Sequence, residues 1–525
     1  MKHDDSRIYP PTPESLTRRR FLQLGGGTAL AAALAACTGT GTSTSSGGSS
    51  AGAAPTSAAG SSAAVSASAG PASAANLTGS IQWWDTMTGY NDLIDKTLIP
   101  NFIKAHPGVK IKRQGMKAPN LVQALELAKR NNQLPDITGI HTTLGVPAAL
   151  VADNWFSPID DFVDLKGTFV SDYLYEGIHV FDGKVYSFPI VDRIWHQVTP
   201  WVNTAMLDQA GVTATQNPTW DGFRSLLRTT QAKNSGKYGL VVPLKQPFYA
   251  NELLDNLASF AGFQGTEGVD WKTGEYVWDS QPFLDTMEFL VSLKKDGVLD
   301  PAGPSMAPPD AMQRWASGET AIYLYGPWIL GTRQGVKGAS SSPVAAWRPP
   351  SPDGKLNGKV HVGPSNGDLW LTYGDKQGEI VGAILQQFTT QATYAAMATE
   401  ENQAPIDYNA VAASSAPQAY KQVIAWEHED TKIGPAPEAR NADYAKLLVE
   451  IRDVHPDPGE IVTSILTGAS TDYKSALTKY NSAANAERDR AIKAVQAKGA
   501  KVSHDDWVFS NWNPDQDYTP KQYNA

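Results

Sequence analysis

One cysteine, Cys37, stands in a chain of 525 residues. That scarcity excludes an internal disulfide framework and leaves the fold to be held by burial. The nine histidines show neither His-x-His nor His-Glu-x-x-His spacing, so nothing points to catalytic zinc. No metal and no cofactor are expected. Basic charge is short as well. The formal net charge is −9, and it grows more negative without the first 36 residues, which hold Lys2, Arg7, Arg18, Arg19 and Arg20 against Asp4, Asp5 and Glu14. This balance argues against nucleic acid or an anionic lipid surface as a partner. Long apolar runs are also lacking. Phe21 to Ala36, broken by Gln23 and three glycines, falls short of the ~20 residues that a membrane-spanning helix needs.

What the first residues do hold is addressing chemistry. Arg18, Arg19 and Arg20 precede Phe21 and Leu22, which has the look of a twin-arginine export signal. The apolar stretch ends in Leu34-Ala35-Ala36-Cys37, which resembles the lipobox of bacterial lipoproteins. Residues 1–36 are therefore read as a signal peptide and Cys37 as the lipidation site. From Thr38 to Asn76 only Ala, Ser, Gly, Thr and Pro occur, apart from Val65 and Asn76. Such a segment cannot bury enough apolar surface to offset its ordering entropy. Residues 37–76 read as a flexible tether with a span of about 30–40 Å. The expected location is the outer face of the cell membrane, held there by the lipid alone.

Residues 77 to about 512 read as globular α/β sequence. Ile81 and Trp83 alternate with Gln82 on a strand, and Ile94, Leu98 and Phe102 mark one helix face. Val109 to Lys112 alternates again. A second helix carries Leu121, Leu125 and Ala128, with Glu126 able to pair with Arg130. Pro135-Asp136 introduces a third strand, Ile137 to Ile140. Strand and helix alternating in this way favour a parallel sheet, with ligands beyond the carboxyl ends of its strands. Helices are expected after Asn217-Pro218-Thr219-Trp220, from Phe283 to Lys295, and over 469–499. Strands are expected at Lys237 to Val242 and Thr320 to Leu324, and a loop at 299–310. Glu427-His428-Glu429-Asp430 reads as a solvated helix end. The final stretch, with Trp507, Phe509, Trp512 and Tyr518, is expected to pack back over the body.

Several motifs in this order resemble those of the family 1 extracellular solute-binding proteins, the maltose-binding-protein-like sugar receptors of ABC importers. They are Ile81-Gln82-Trp83-Trp84-Asp85 through Gly89-Tyr90-Asn91, then Leu134-Pro135-Asp136-Ile137 without the family's usual glycine. Asp182-Gly183-Lys184-Val185-Tyr186-Ser187-Phe188-Pro189 and Pro218-Thr219-Trp220-Asp221 follow. Ser317-Gly318-Glu319-Thr320-Ala321, followed by Tyr325-Gly326-Pro327-Trp328, matches best. The resemblance implies a two-lobed periplasmic-binding-protein-like fold of type II, each lobe a mostly parallel sheet flanked by helices, closing around a ligand. One lobe would hold 77–191 and 369–405, the other 192–345 and 406–500. Residues 346–368 would run between the lobes and 501–525 would form an extension.

Sugar recognition needs aromatic faces for the C–H side of a ring and fixed donors and acceptors for its hydroxyls. Trp328 comes first, because the resemblance places it where the family stacks a sugar. Phe248 and Tyr249 correspond to another aromatic contact. Asp85 ends the first strand, and alternation lets only one of Trp83 and Trp84 face the cleft, with Trp84 taken as the candidate. Asp192, Arg193 and Trp195 lie at the expected crossover between lobes, where the spacing departs from the family by three residues. His141 and Thr142 follow the third strand, and Asn366 and Asp368 form a turn that faces the cleft in the family. The reading is a monomeric, non-enzymatic receptor for a sugar or oligosaccharide, with the transmembrane permease of an ABC importer as partner. Against it stand a lipid-anchored glycoside hydrolase, which would need two carboxylates facing across the cleft, and a surface adhesin or structural lipoprotein.

Overall fold

The computed structural model describes residues 77–140, 144, 146–213, 217–334, 344–364, 367–374 and 377–524. The signal peptide, the tether, Cys37, His141, Thr142 and Asn366 lie outside the described residues.

The opening strand is longer than the alternation alone suggests, running Thr78–Asp85 with Ile81, Trp83 and Asp85 inward. It pairs in parallel with Gly108–Gly115 along its whole length and with Ile137–Thr138 on its other side. Between the first two strands a helical stretch runs from Asn91 to Ala105 and opens into a π-turn at Ile94–Leu98. Pro100 explains the widening: it has no amide hydrogen, and the preceding Ile99 N–H reaches back five residues to Ile94 O. The second helix, Ala118–Arg130, carries the expected Glu126–Arg130 pair at 3.7 Å. Two antiparallel strands complete the sheet, Leu369–Leu371 against Ile137–Thr138 and Ser187–Phe188 against Leu369–Leu371.

A second sheet has the order Val344–Ala346, Thr199–Asn203, Thr320–Tyr325, Tyr238–Val241. Only its last pair is parallel. Thr219 caps the Trp220–Lys233 helix, its Oγ1 accepting from Gly222 N at 3.0 Å. Behind the sheet the Pro247–Phe260 helix is buried along most of its length. Each sheet has its own apolar cluster, one around Ile81, Trp83, Phe188 and Leu371, the other around Trp201, Leu240, Leu254 and Ile322. A lobe-sized core on each side of a crossing is what divides a chain of this length.

Two crossing segments run side by side. Asp192 N donates to Ala404 O at 2.8 Å, Ile406 N donates to Ile190 O at 3.0 Å, and Val191 bridges Pro405. A third crossing leads from Val344–Ala346 to Leu369–Leu371 and includes Val360–Val362, which pairs in parallel with Thr431–Ile433.

Two sequence expectations are corrected. The loop expected at 299–310 already starts a helix, Pro308–Ala316, because proline suits a first turn whose amides are unpaired anyway; Asp310 adds a bond to Ala307 N. The polar run at Glu427 to Asp430 is not a solvated end. Glu427 and Asp430 are buried, Asp430 pairs with Arg348, and His428 Nε2 lies 2.7 Å from Asp192 Oδ2. The Tyr473–Gln496 helix packs against Pro458–Thr467 and Tyr444–Glu450. The final residues do fold back, placing Trp507, Phe509, Trp512 and Tyr518 in a third cluster with Trp271, Leu447 and Val495.

Candidate functional site

The strand registers bring one edge of each sheet to the crossings. In the first sheet the carboxyl ends of Thr78–Asp85, Ile137–Thr138 and Ser187–Phe188 lie beside the amino end of Leu369–Leu371. Gly139 has no room for a side chain there, since a Cβ would stand 3.2 Å from Asp368 O and 3.5 Å from Asp85 Cα. Asp368 Oδ2 accepts the amides of Ile190 and Val191, the latter at 2.9 Å. Burial pushes its carboxyl up to about 6, against the opposing pull of those amides and Arg193. Asp368 thus fastens the first crossing to the first sheet.

In the second sheet the carboxyl ends of Thr320–Tyr325 and Tyr238–Val241 lie beside the start of Thr199–Asn203. Trp328 leaves this edge through Gly326-Pro327. A Cβ on Gly326 would come within 2.3 Å of the Trp328 ring, so glycine there lets the indole fold back over its own turn. The ring meets Trp195 of the first crossing edge to face, with centroids 4.9 Å apart at 87°. It meets Tyr325 edge to face at 5.3 Å and 77°. All three rings are partly exposed. Behind them Tyr323 stacks on Tyr325 at 4.7 Å. The Arg193 guanidinium lies 5.2 Å from the Trp195 ring centre.

Around this aromatic corner several buried polar atoms have no hydrogen-bond partner among the described residues: Arg193 Nε, Trp195 Nε1, Gln197 Oε1 and Glu252 Oε2. Each such atom costs roughly 1–3 kcal/mol unless something satisfies it. Burial raises Glu252 to about 7; the nearby Gln197 amide and the Arg193 charge pull downward, while Glu267 pushes upward. Asp255, one turn further along the helix, rises to about 8 by burial and the Glu267 charge. Gln197 and Glu252 were not among the sequence candidates. The Pro247–Phe260 helix was not among the expected elements; once it is known, Glu252 stands out one turn beyond Phe248, and that spacing is the signal that could have found it.

The predicted residues divide. Asp192, Arg193, Trp195, Trp328 and Asp368 come together at the crossings. Phe248 is 53% exposed at the start of its helix. Tyr249 is fully buried, its hydroxyl donating to Leu324 O at 2.5 Å, so it supports the aromatic layer and offers no face to solvent. Trp83 packs in the first core, and Trp84 points to the other face of its strand, half-buried against a cluster of Leu121, Leu125 and Trp370. Asp85 is fully buried and already engaged, with Arg113 Nε and Nη2 on its two oxygens at 2.7 Å and Met87 N at 2.8 Å. Its carboxylate is committed to that pair.

One group among the described residues has metal-ligand spacing, His455, Asp457 and Glu460. It serves as a helix cap, with Glu460 N on Asp457 Oδ1 at 2.7 Å and Asp457 N on Glu460 Oε2 at 2.8 Å.

Solved structures of the same two-lobed fold include the GacH receptor of Streptomyces glaucescens, with 16% identity and a TM-score of 0.56 over 78% of this chain and 98% of that one. An ABC-transporter solute-binding protein of Thermotoga lettingae, bound with alpha-D-tagatose, has 16% identity and a TM-score of 0.59 over 78% of this chain and 100% of that one. UgpB of Mycobacterium tuberculosis, in complex with glycerophosphocholine, has 14% identity and a TM-score of 0.57 over 79% and 100%. No curated protein is similar enough in sequence to count as a relative. Among the described residues no helix is long and apolar enough to cross a membrane. Residues 97–426, more than half of the chain, match the family model described as bacterial extracellular solute-binding protein, and the chain belongs to that family.

Proposed function

We propose that this protein is the receptor of an ABC importer for a sugar or oligosaccharide, which it captures by closing two lobes and delivers to a membrane permease. The observation that carries the reading is the corner formed by Trp195 and Trp328, bordered by buried donors and acceptors that the protein leaves unpaired. A pyranose ring has the complementary surface: apolar C–H bonds on one face and hydroxyls around its rim. The tagatose bound by the Thermotoga protein is consistent with it. In this reading Trp328, Trp195 and Phe248 supply faces, Arg193 and Trp195 donate, and Gln197 and Glu252 accept. Asp368 and the Asp192–His428 pair hold the crossings on which closure turns. The protein acts as a monomer, exported through its Arg18-Arg19-Arg20 signal and held at the outer face of the membrane by lipid on Cys37.

A hydrolase would need two free carboxylates facing across the cleft. On the first sheet's edge, Asp85 is tied to Arg113 and Asp368 to the crossing amides. Calorimetry and thermal shift of the purified protein against an oligosaccharide panel test the proposal. Stabilisation without product supports it; released reducing ends, or no binding by any sugar, would sink it.

A further inference from the structure

Glu252 sits where three parts of the molecule meet. Its own helix carries Tyr249 and Asp255; the first crossing brings Arg193 and Gln197; the second sheet brings Tyr325, whose hydroxyl feels the Glu252 charge. Glu267 adds a third carboxylate from the loop that follows the helix and is itself exposed. Gln197 is only 6% exposed, lies close enough to Glu252 for its amide to pull that carboxyl's pKa down, and keeps its carbonyl oxygen without a partner among the described residues. The unpaired atoms on this side of the corner, Gln197 Oε1 and Glu252 Oε2, are both acceptors. The unpaired donors, Arg193 Nε and Trp195 Nε1, lie on the crossing.

A sugar hydroxyl offers one donor hydrogen, whereas an ammonium group offers three and accepts none. The charge count points the same way. The Arg193 guanidinium faces Glu252, Glu267 and Asp368, and it is spread over the Trp195 ring. Carboxylates that outnumber their cation in a low-dielectric site favour a cationic ligand and repel an anionic one. The faces of Trp195, Trp328 and Tyr325 also suit a cation better than a bare hydroxyl.

We propose that Glu252 and Gln197 read a basic nitrogen on the solute, so that the receptor selects amino-substituted sugars over their hydroxyl counterparts. The inference rests on the sugar-receptor reading above. Glu252 holds its proton near neutrality when the site contains only protein, because burial disfavours its charge. An arriving ammonium stabilises the carboxylate, and the proton leaves to solvent. While the amine arrives protonated, its binding is therefore accompanied by proton release and strengthens as pH rises toward about 7; once the amine loses its own proton, at the ~7.7–8.0 of an α-amino group, both effects fade.

The test is calorimetry of the full chain with sugars that differ at one position: glucosamine against glucose, galactosamine against galactose, and the β-1,4-linked glucosamine dimer against cellobiose. At pH 7, where the amine still carries its proton, at least one amine should bind about tenfold or more tighter than its hydroxyl partner, the order expected for one charge-assisted hydrogen bond. Its binding enthalpy should change with the ionisation enthalpy of the buffer. Glu252→Gln should erase both the preference and the buffer dependence. Equal or better binding of the hydroxyl partner in every pair would overturn the inference and leave the sugar reading standing. So would a preference that survives Glu252→Gln. A protein that binds none of these sugars, nor any of the wider oligosaccharide panel, fails at the earlier step.

Discussion

Trp195 and Trp328 meet edge to face, 4.9 Å apart at 87°, although 133 residues of chain separate them. One stands on the first crossing and the other on the edge of the second sheet, so the corner they form is a feature of the assembled fold. Trp328→Ala removes a partly exposed ring and its edge-to-face contacts with Trp195 and Tyr325. Loss of an aromatic contact of this kind costs about 2 kcal/mol or more of binding, near thirtyfold in affinity. The melting temperature of the ligand-free protein should change little by comparison. A large drop in melting temperature with normal affinity of the folded fraction would assign Trp328 to the core.

Asp368 holds the first crossing by two amides. Asp368→Ala leaves the Ile190 and Val191 amides without that acceptor, at a cost of about 1.5–3 kcal/mol in unfolding free energy. Chemical denaturation measures the loss. Small-angle scattering with saturating sugar should then show a more variable closure than in the wild type. An unchanged denaturation midpoint would mean that the two amides find other partners.

The buried acids predict a pH dependence. In the native state Glu252 and Asp255 keep their protons up to about 7 and 8, while the unfolded chain releases them near 4. The native state then binds more protons, so stability falls as pH rises through this window. His179, His196 and His361 act in the opposite sense below pH 6.5, because burial lowers them to about 3, 3 and 4. Between pH 6.5 and 8 the buried acids dominate, with His455, raised by its bond to Glu460, acting in the same sense, and the loss from the acids should be of the order of 1–2 kcal/mol. Asp255→Asn, which keeps an oxygen for the Gly268 amide, should flatten the slope. A slope unchanged by this substitution would contradict the assignment.

Anchoring is tested in cells. With Cys37 as the only thiol, Cys37→Ala should shift the protein from the membrane fraction into the medium or leave it unprocessed. Replacing Arg18, Arg19 and Arg20 with Lys should block the twin-arginine route. Normal membrane recovery of the first variant would argue against lipidation, and normal export of the second against that route.

Local pattern made the opening sheet readable, because alternation at Ile81 and Trp83 and the helical spacing of Leu121 and Leu125 depend only on neighbours along the chain. It also put Trp83 and Trp84 on opposite faces of their strand, as the structure has them, without deciding which of them faces the cleft. What could not be read was partnership across distance. Asp85 looked free at a strand end, yet Arg113 on the adjacent strand takes both its oxygens. Tyr249 looked like a ligand contact, but the helix that carries it is buried on nearly every side. Glu427 looked solvated, because a run of polar residues gives no sign that helix Gln418–Asp430 presses its last turn against the crossing. Glu252 escaped because a single acid on a helix is unremarkable until its neighbours are known.

The C-terminal residues support a last prediction, because they touch Tyr175 as well as Ile433 and Ala436. Tyr518 N donates to Ile433 O at 2.8 Å, and Tyr175 donates its hydroxyl to Tyr518 O at 3.2 Å. Tyr523 accepts from Ala436 N at 2.8 Å and meets the Tyr175 ring edge to face at 6.2 Å. Deleting residues 501–525 would remove Trp507, Phe509, Trp512 and Tyr518 together and uncover Trp271, Leu447 and Val495. At about 3–5 kcal/mol for each buried aromatic, the total rivals the ~5–15 kcal/mol that holds a domain folded. A milder variant is therefore more informative. Tyr523→Ala removes one hydrogen bond and the ring contacts with Tyr175, Phe509 and Tyr518, leaving the buried cluster in place, and should cost about 1–3 kcal/mol. Hydrogen exchange should quicken at residues 173–178 and 433–439 and stay unchanged in the Thr320–Tyr325 strand. Unchanged protection at Tyr175 and Ala436 would show that these two segments meet there without help from the tail.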